Sequence, residues 1–514
     1  MDNLTYLGHA GWLYEDEDIK CVFDPWNSNS GAFLDSWYPF PDNNNIDFKN
    51  TLKDLDFVYI SHAHEDHLVE NTLKLIDKNT KVLIAKFKDK TTLQKLLSFG
   101  FTNIIELTED KVYEIKKAKI KIIKTEGFIE NDSCLILNKG NCTILNLNDS
   151  HIDFYELKKN VNKVDVLLLQ SSSAIWWPCN YEYENKIKDN YGKIKRNNLL
   201  RRALKYCQIL KPKIAIPNAG PPLFKNRIME RWNFNRDQEW NPFCTSKEAS
   251  EYFKKNNINS DFMVPGEIIN VSTLDIKRNE KLREEIYSEI DLYTDKYLKQ
   301  IRANKHVIDI NLPEHVVNKY FEKFKRQVKV ISKISTIYSE KVDFKTLIEF
   351  SKKEKWILDL KNKTSPLENY TGQKYRYHFK INKNYLPYIM KEKNIDFERL
   401  FLSGNFSCKR EPDIFNEFLF TILKNFDSKR LKTSEQIYAE NSSMKDEFFI
   451  LNHKGCKYEV QKYCPHMYAD LEKIGYIDEE ENFVCPLHGW KFDVNSGICK
   501  SKNEKLKIKR LDKN

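Results

Sequence analysis

The tightest constraint on this 514-residue chain sits near its end, in two short pairs of metal-binding side chains, Cys464-Pro465-His466 and Cys485-Pro486-Leu487-His488. Two loops carrying thiolate and imidazole donors must meet before they can close on one centre, so the surrounding residues have to fold around them. Two thiolates and two neutral imidazoles suit an iron–sulfur pair in which one iron takes cysteines and the other takes histidines. Replacing thiolates by imidazoles makes such a cluster less negative and raises its potential. Zinc is a poorer match, because zinc pairs usually read Cys-x-x-Cys with two closely spaced histidines. A centre of this kind moves single electrons, so something in or beside the chain has to consume them.

The chain is too long for one hydrophobic core and implies two or three domains. Charged residues make up 31% of it and are mixed in sign, so the net charge of +10 reads as solvated surface. No basic stripe interleaved with aromatics stands out, and nucleic-acid binding is not expected. A modest positive field would still favour an anionic substrate or an acidic redox partner. No long uncharged apolar run predicts a membrane span. The start, Met1-Asp2-Asn3-Leu4-Thr5, lacks the basic and apolar segments of a signal peptide. Eleven scattered cysteines read as reduced thiols, and the expected location is the cytoplasm.

Residues 1–275 alternate β-rich runs with helical stretches. Strands are expected at 12–14, 21–23, 57–60, 82–85, 120–123, 133–137, 143–147 and 166–169, and helices at 199–208 and 246–255. Residues 276–435 are mostly helical, as at 279–302 and 313–330, with a small sheet expected from 374–381 and 400–406. From 436 to 514, short strands and turns dominate, punctuated by Gly455, Gly475, Gly489 and Gly497. The predicted fold class is thus α/β followed by a helical or mixed bridging region and a small all-β domain.

A second metal motif lies far upstream. The apolar run Asp56-Phe57-Val58-Tyr59-Ile60 leads directly into Ser61-His62-Ala63-His64-Glu65-Asp66-His67. Positions two apart on an extended chain point the same way, so His62 and His64 converge on one ion. Asp66 and His67 follow where the chain turns into a helix expected over 68–76, and can address a neighbouring ion. A loop directly after an apolar strand is also where α/β proteins place their active sites.

The C-terminal motif resembles Rieske [2Fe-2S] domains. Gly489-Trp490-Lys491-Phe492-Asp493 and Ser496-Gly497 look like that family's strand and turn behind the second cluster loop. Met467 and Leu487 stand where the respiratory type carries an extra cysteine pair, so the resemblance is to the oxygenase and ferredoxin type. The upstream His-x-His-x-Asp-His motif resembles the metallo-β-lactamase fold, an αββα sandwich. Thr5-Tyr6-Leu7-Gly8-His9-Ala10-Gly11 and Phe23-Asp24-Pro25-Trp26 look like one of its branches. The resemblance implies Asp149 as the bridging ligand. The family's third-histidine position falls near 127–133, where this chain has Glu130 and Asp132 but no histidine. Glu130 is taken as the ligand, and a carboxylate there would favour iron over zinc. The last histidine position falls at Asn218, with His151 as a substitute donor, so one or two irons are open. His9 is expected to support the metal loop from behind.

One family combines both modules, and Tyr6–Ala10, Phe23–Trp26, Tyr59–His62 and Arg410-Glu411-Pro412-Asp413-Ile414 resemble its segments: the CMP-N-acetylneuraminate hydroxylases. That resemblance implies a monooxygenase. Iron at His62, His64, Asp66 and His67 would be fed by the cluster on Cys464, His466, Cys485 and His488. The substrate would be a small, anionic, sugar-nucleotide-like molecule met by Arg201, Arg202, Arg376 and Arg410. The alternative is a lactonase- or phosphodiesterase-type zinc hydrolase with an accessory Rieske domain. No Gly-x-Gly-x-x-Gly run marks a nicotinamide or flavin domain. Electrons are therefore expected from an external ferredoxin- or cytochrome-type donor and its reductase.

Overall fold

The computed structural model describes residues 2–127, 131–304, 308, 311–334, 337–390, 395–442, 447–466, 468–499 and 504–511. They fall into two compact units. The first holds 2–126, 131–179 and 184–304, and the second holds 127, 180–183 and the described residues from 308 onward.

The first unit is a layered sandwich. An eight-stranded sheet runs in the order Ile276–Lys277, Ile268–Asn270, Asn3–Gly8, Gly11–Glu15, Lys20–Phe23, Phe57–Ile60, Lys81–Ala85 and Ile104–Leu107. A six-stranded sheet runs Ile214–Asn218, Val166–Gln170, Cys142–Asn146, Asn131–Lys139, Ala118–Glu126 and Tyr113–Ile115. The strand Phe57–Ile60 shows why this layering follows from its residues. All four are buried, as the unbroken apolar run requires of a strand covered on both faces. Phe57 and Tyr59 point into the core between the sheets, against Ile122, Leu135 and Leu168. Val58 and Ile60 point the other way, into a second core with Phe48, Leu73 and Leu96 from the outer helices. Removing any of these side chains from water contributes about 1.5–3 kcal/mol. The other outer layer holds the helices Phe154–Asn160, Asn185–Leu210 and Ser246–Lys255. Ser246–Lys255 begins with a reciprocal cap between Thr245 and Glu248.

The second unit contains a five-stranded sheet in the order Leu367–Asn369, Glu354–Leu358, Thr346–Ser351, Tyr377–Ile381 and Phe406–Arg410. The long helix Glu314–Ile334 buries Phe321 and Phe324 against Phe350. Residues 180–183 pair with the free edge of this sheet. Cys408 N–H donates to Asn180 O at 2.9 Å, and Glu182 N–H donates to Cys408 O at 2.8 Å. Two three-stranded sheets complete the unit, one of Phe448–His453, Cys456–Gln461 and Ile508–Leu511, the other of Tyr476–Ile477, Asn482–Cys485 and Trp490–Asp493.

Several elements differ from expectation. The strand expected over 400–406 is mostly helix: Phe397–Ser403 is helical, and the strand starts at Phe406. The run Leu400-Phe401-Leu402 fits a buried strand or a buried helix equally well. The caps settle it, because the Asp396 side chain accepts from Arg399 N–H and Gly404 ends the helix at φ 68°. The helix expected over 68–76 is a single turn, Glu70–Leu73. That expected over 279–302 is broken into Glu280–Tyr287 and Ile290–Ala303. The helix at 199–208 extends over Asn185–Leu210.

Candidate metal centres

Each centre is built from loops that follow strands. After Ile60 the chain bends, and Asp24, at the end of its neighbouring strand, holds the bend. Ser61 N–H donates to Asp24 Oδ1 at 2.9 Å, and Ser61 Oγ donates to Asp24 Oδ2 at 2.6 Å. The same carboxylate lies 2.8 Å from His67 Nδ1. A carboxylate on one ring nitrogen fixes the tautomer and leaves the other nitrogen to a metal. His67 Nε2 accordingly faces Asp149 Oδ1 at 3.5 Å and Asp66 Oδ2 at 3.8 Å.

His62 Nε2 and His64 Nδ1 lie 2.7 Å apart. Donor atoms of His62, His64 and Asp149 lie within 4.8 Å of one another, and so do those of His9, Asp66 and His67. The structure therefore brings together His62, His64, Asp66, His67 and Asp149. It places His9 with them as a possible donor, since His9 Nε2 is 3.1 Å from Asp66 Oδ2. His9 reaches this position from a left-handed turn, φ 52°, after Gly8 at φ 101°. His151 belongs to neither group.

Glu130 lies outside the described residues. The carboxylate that meets the site is Asp132, whose Oδ1 is 3.2 Å from His62 Nδ1. Its strand is stitched to the histidine loop across the sandwich. Tyr59 Oη bonds Ser133 O at 2.9 Å, and Ser133 Oγ donates to Ser61 O at 2.7 Å. These bonds hold the start of that strand against the histidine loop, where Asp132 meets His62.

These charges act on one another. Burial disfavours the imidazolium of His62, but Asp132 and Asp149 outweigh it and push His62 up to about 9. Burial raises Asp132 to about 6 despite the pull of His62. Burial opposes ionisation of Asp149 too, yet His67 and His62 hold it down to about 2. Packing so many imidazoles and carboxylates out of water makes sense for a cation, which would balance the acids and displace the imidazole protons. His67 Nε2, Asp66 Oδ1 and Asp149 Oδ1 are buried without a hydrogen-bond partner among the described residues, which fits that reading. The side chains of Asn148, Ser172, Ser173 and Asn218 are buried with the same lack of partners and cluster at the ends of the neighbouring strands. Of these, only Asn218 stands at a position that the family motif marks. The serine run 171–173 directly after an apolar strand was the available signal.

Three of the four arginines expected to meet an anion already face protein acceptors. Arg202 donates to Gln170 Oε1, Arg376 to Ile414 O, and Arg410 to Asp413 Oδ1.

At the other centre, Cys464 and Cys485 are both buried. The two loops share one backbone pattern: Tyr468 N–H donates to Cys464 O and Gly489 N–H to Cys485 O, each at 2.9 Å. Gly489 turns with φ 68°. The rings of His466 and His488 meet edge-on with centroids 4.5 Å apart. Two matched turns, two buried thiols and two facing imidazoles fit a cluster with cysteines on one iron and histidines on the other. Met467 lies outside the described residues.

Comparison with known proteins matches three stretches of the chain. Residues 3–183 match the beta-lactamase superfamily domain, 320–440 an Rv3818-like, SCP2-like domain, and 423–511 the Rieske [2Fe-2S] domain. The chain thus joins a metallo-β-lactamase-fold domain to a C-terminal Rieske domain, and is a redox protein. It is 26% identical to a putative Rieske 2Fe-2S iron-sulfur protein of Mycolicibacterium smegmatis, over 99% of this chain and 100% of that one. It is also 26% identical to the cytidine monophosphate-N-acetylneuraminic acid hydroxylase of Danio rerio, over 42% of this chain and 38% of that one. The crystal structure of CmlA, a diiron beta-hydroxylase from Streptomyces venezuelae, aligns at TM-score 0.38 and 18% identity, over 52% of this chain and 54% of that one. Among the described residues no helix is long and apolar enough to cross a membrane.

Proposed function

We propose that the chain is a Rieske-coupled non-haem iron monooxygenase. The carrying observation is that a redox domain shares the chain with a buried histidine–carboxylate pocket in which Asp132 faces His62. Zinc has no accessible redox step and gains nothing from an attached one-electron donor. A mixed imidazole–carboxylate donor set suits iron. In this reading His62, His64, Asp132 and Asp149 hold one ion, and Asp66, His67 and Asp149, with His9 beside them, hold a second where one binds. Cys464, His466, Cys485 and His488 hold the cluster. When loaded, the pocket's iron supplies dioxygen activation and the cluster supplies electrons.

The protein's own work is positional. Asp24 and Ser61 fix the histidine loop. The strands wall the pocket from water. Asn148, Ser172, Ser173 and Asn218 offer neutral hydrogen bonds to a polar substrate. By its likeness to the sialic acid hydroxylases, that substrate is small, anionic and sugar-nucleotide-like. Electrons come from an external ferredoxin- or cytochrome-type carrier. The working division is 1–275, 276–435 and 436–514.

The test is metal analysis with EPR on anaerobically purified protein, before and after one-electron reduction, followed by dioxygen uptake with a candidate substrate. Iron in the upstream pocket and substrate-dependent uptake are expected. Zinc there, with turnover lacking any reductant, would establish the hydrolase instead.

A further inference from the structure

Glu417 opens the helix Glu417–Lys424, which Asn416 caps by accepting from Leu419 N–H at 2.9 Å. Acidic residues are common in a first helical turn, where the backbone dipole favours them, but that interaction is available at the surface. Glu417 is instead 2% exposed. Burying a carboxylate is costly unless a positive or hydrogen-bonding neighbour offsets it. Its Oε2 lies 4.0 Å from Nε2 of His466. The His466 ring is held on its other sides, stacked on Trp490 at 4.3 Å and 12° and edge-on to His488. With Nε2 turned toward Glu417, Nδ1 is the nitrogen that would take iron.

We propose that Glu417 is a positioning residue for the iron–sulfur centre: it orients His466 and, as a fixed negative charge, holds the reduction potential of the cluster down. The proposal rests on the Rieske reading of the four ligands. Metal-bound histidines usually give their second ring nitrogen to a carboxylate or carbonyl, which sets their orientation and basicity. An added electron makes the cluster more negative, and a nearby carboxylate opposes it. At an effective dielectric of about 20, a unit charge some 10 Å from the electron shifts the reduction equilibrium roughly tenfold. Because Glu417 lies within the SCP2-like stretch 320–440, that region would set how strongly the cluster reduces its acceptor.

The test is an EPR-monitored redox titration of the full cluster-loaded chain and two variants. Glu417→Gln keeps the shape and removes the charge. Its midpoint is expected to rise by about a decade in the equilibrium constant, about 59 mV for one electron. Glu417→Asp keeps the charge and is expected to return most of the shift, which a merely structural role would not do. Should the glutamine variant fail to accumulate, the aspartate variant carries the test through its smaller upward displacement. An intact cluster with an unmoved midpoint in these variants overturns the proposal and leaves the Rieske reading standing. A wild-type chain with no Rieske signal overturns both.

Discussion

At the residue scale, the upstream pocket depends as much on what orients the histidines as on the histidines. Asp24 is fully buried and serves Ser61 N–H, Ser61 Oγ and His67 Nδ1 together. Asp24→Asn should keep the fold but misorient His67, weakening metal retention by about 10–100-fold. Competition with a chelator measures this. Asp132→His would exchange a hard oxygen donor for an imidazole, and metal content should move from iron toward zinc. Unchanged iron in that variant would show that Asp132 is not a ligand. The histidine motif was legible because its donors are neighbours in sequence. The role of Asp24, and the choice of Asp132 beside Glu130 in the same stretch, were not legible, because each arrives from another strand and only the sheet register makes them adjacent to the histidines.

At the element scale, Asp165 joins three strands. It accepts from Thr143 N–H at 2.8 Å and pairs with Lys163 and Lys213, each at 2.9 Å. Burial resists its ionisation, but the hydrogen bonds from Lys213, Lys163 and Thr143 outweigh it and hold its pKa below 3.8. A lowered folded value contributes stability above the unfolded pKa, and that contribution is lost as pH falls through the folded one. Asp165→Asn should therefore cost about 1–3 kcal/mol at neutral pH. The gap from wild type should close in acid below 3.8, as read by thermal melts against pH.

Gly192 gives a second case. Alanine inside a helix usually stabilises by about 0.5–1 kcal/mol. In the helix Asn185–Leu210, however, a Cβ at position 192 would lie 2.1 Å from the Trp240 carbonyl oxygen. Overlap with backbone outweighs propensity, so Gly192→Ala should lower the melting temperature. A higher one would refute the close packing. Helix existence was readable from periodicity, whereas the single turn at Glu70–Leu73 and the switch at 397–406 were decided by caps and packing.

At the scale of the whole molecule, the two centres should be separable by loading. Cys464→Ser should abolish the Rieske EPR signal and reductant-driven dioxygen uptake while leaving the upstream metal content near wild type. Loss of both metals together would mean that the centres do not assemble independently.

The amino-acid order alone determined the donors grouped within a few residues of one another and the strands that precede them, since alternation and loop spacing are local properties. Only the tertiary structure decided which distant side chains complete each centre: Asp132 and Asp24 beside the histidines, and Glu417 beside His466. Convergence of that kind is set by strand register and helix packing, which act between residues far apart in the chain and leave no periodic trace in it.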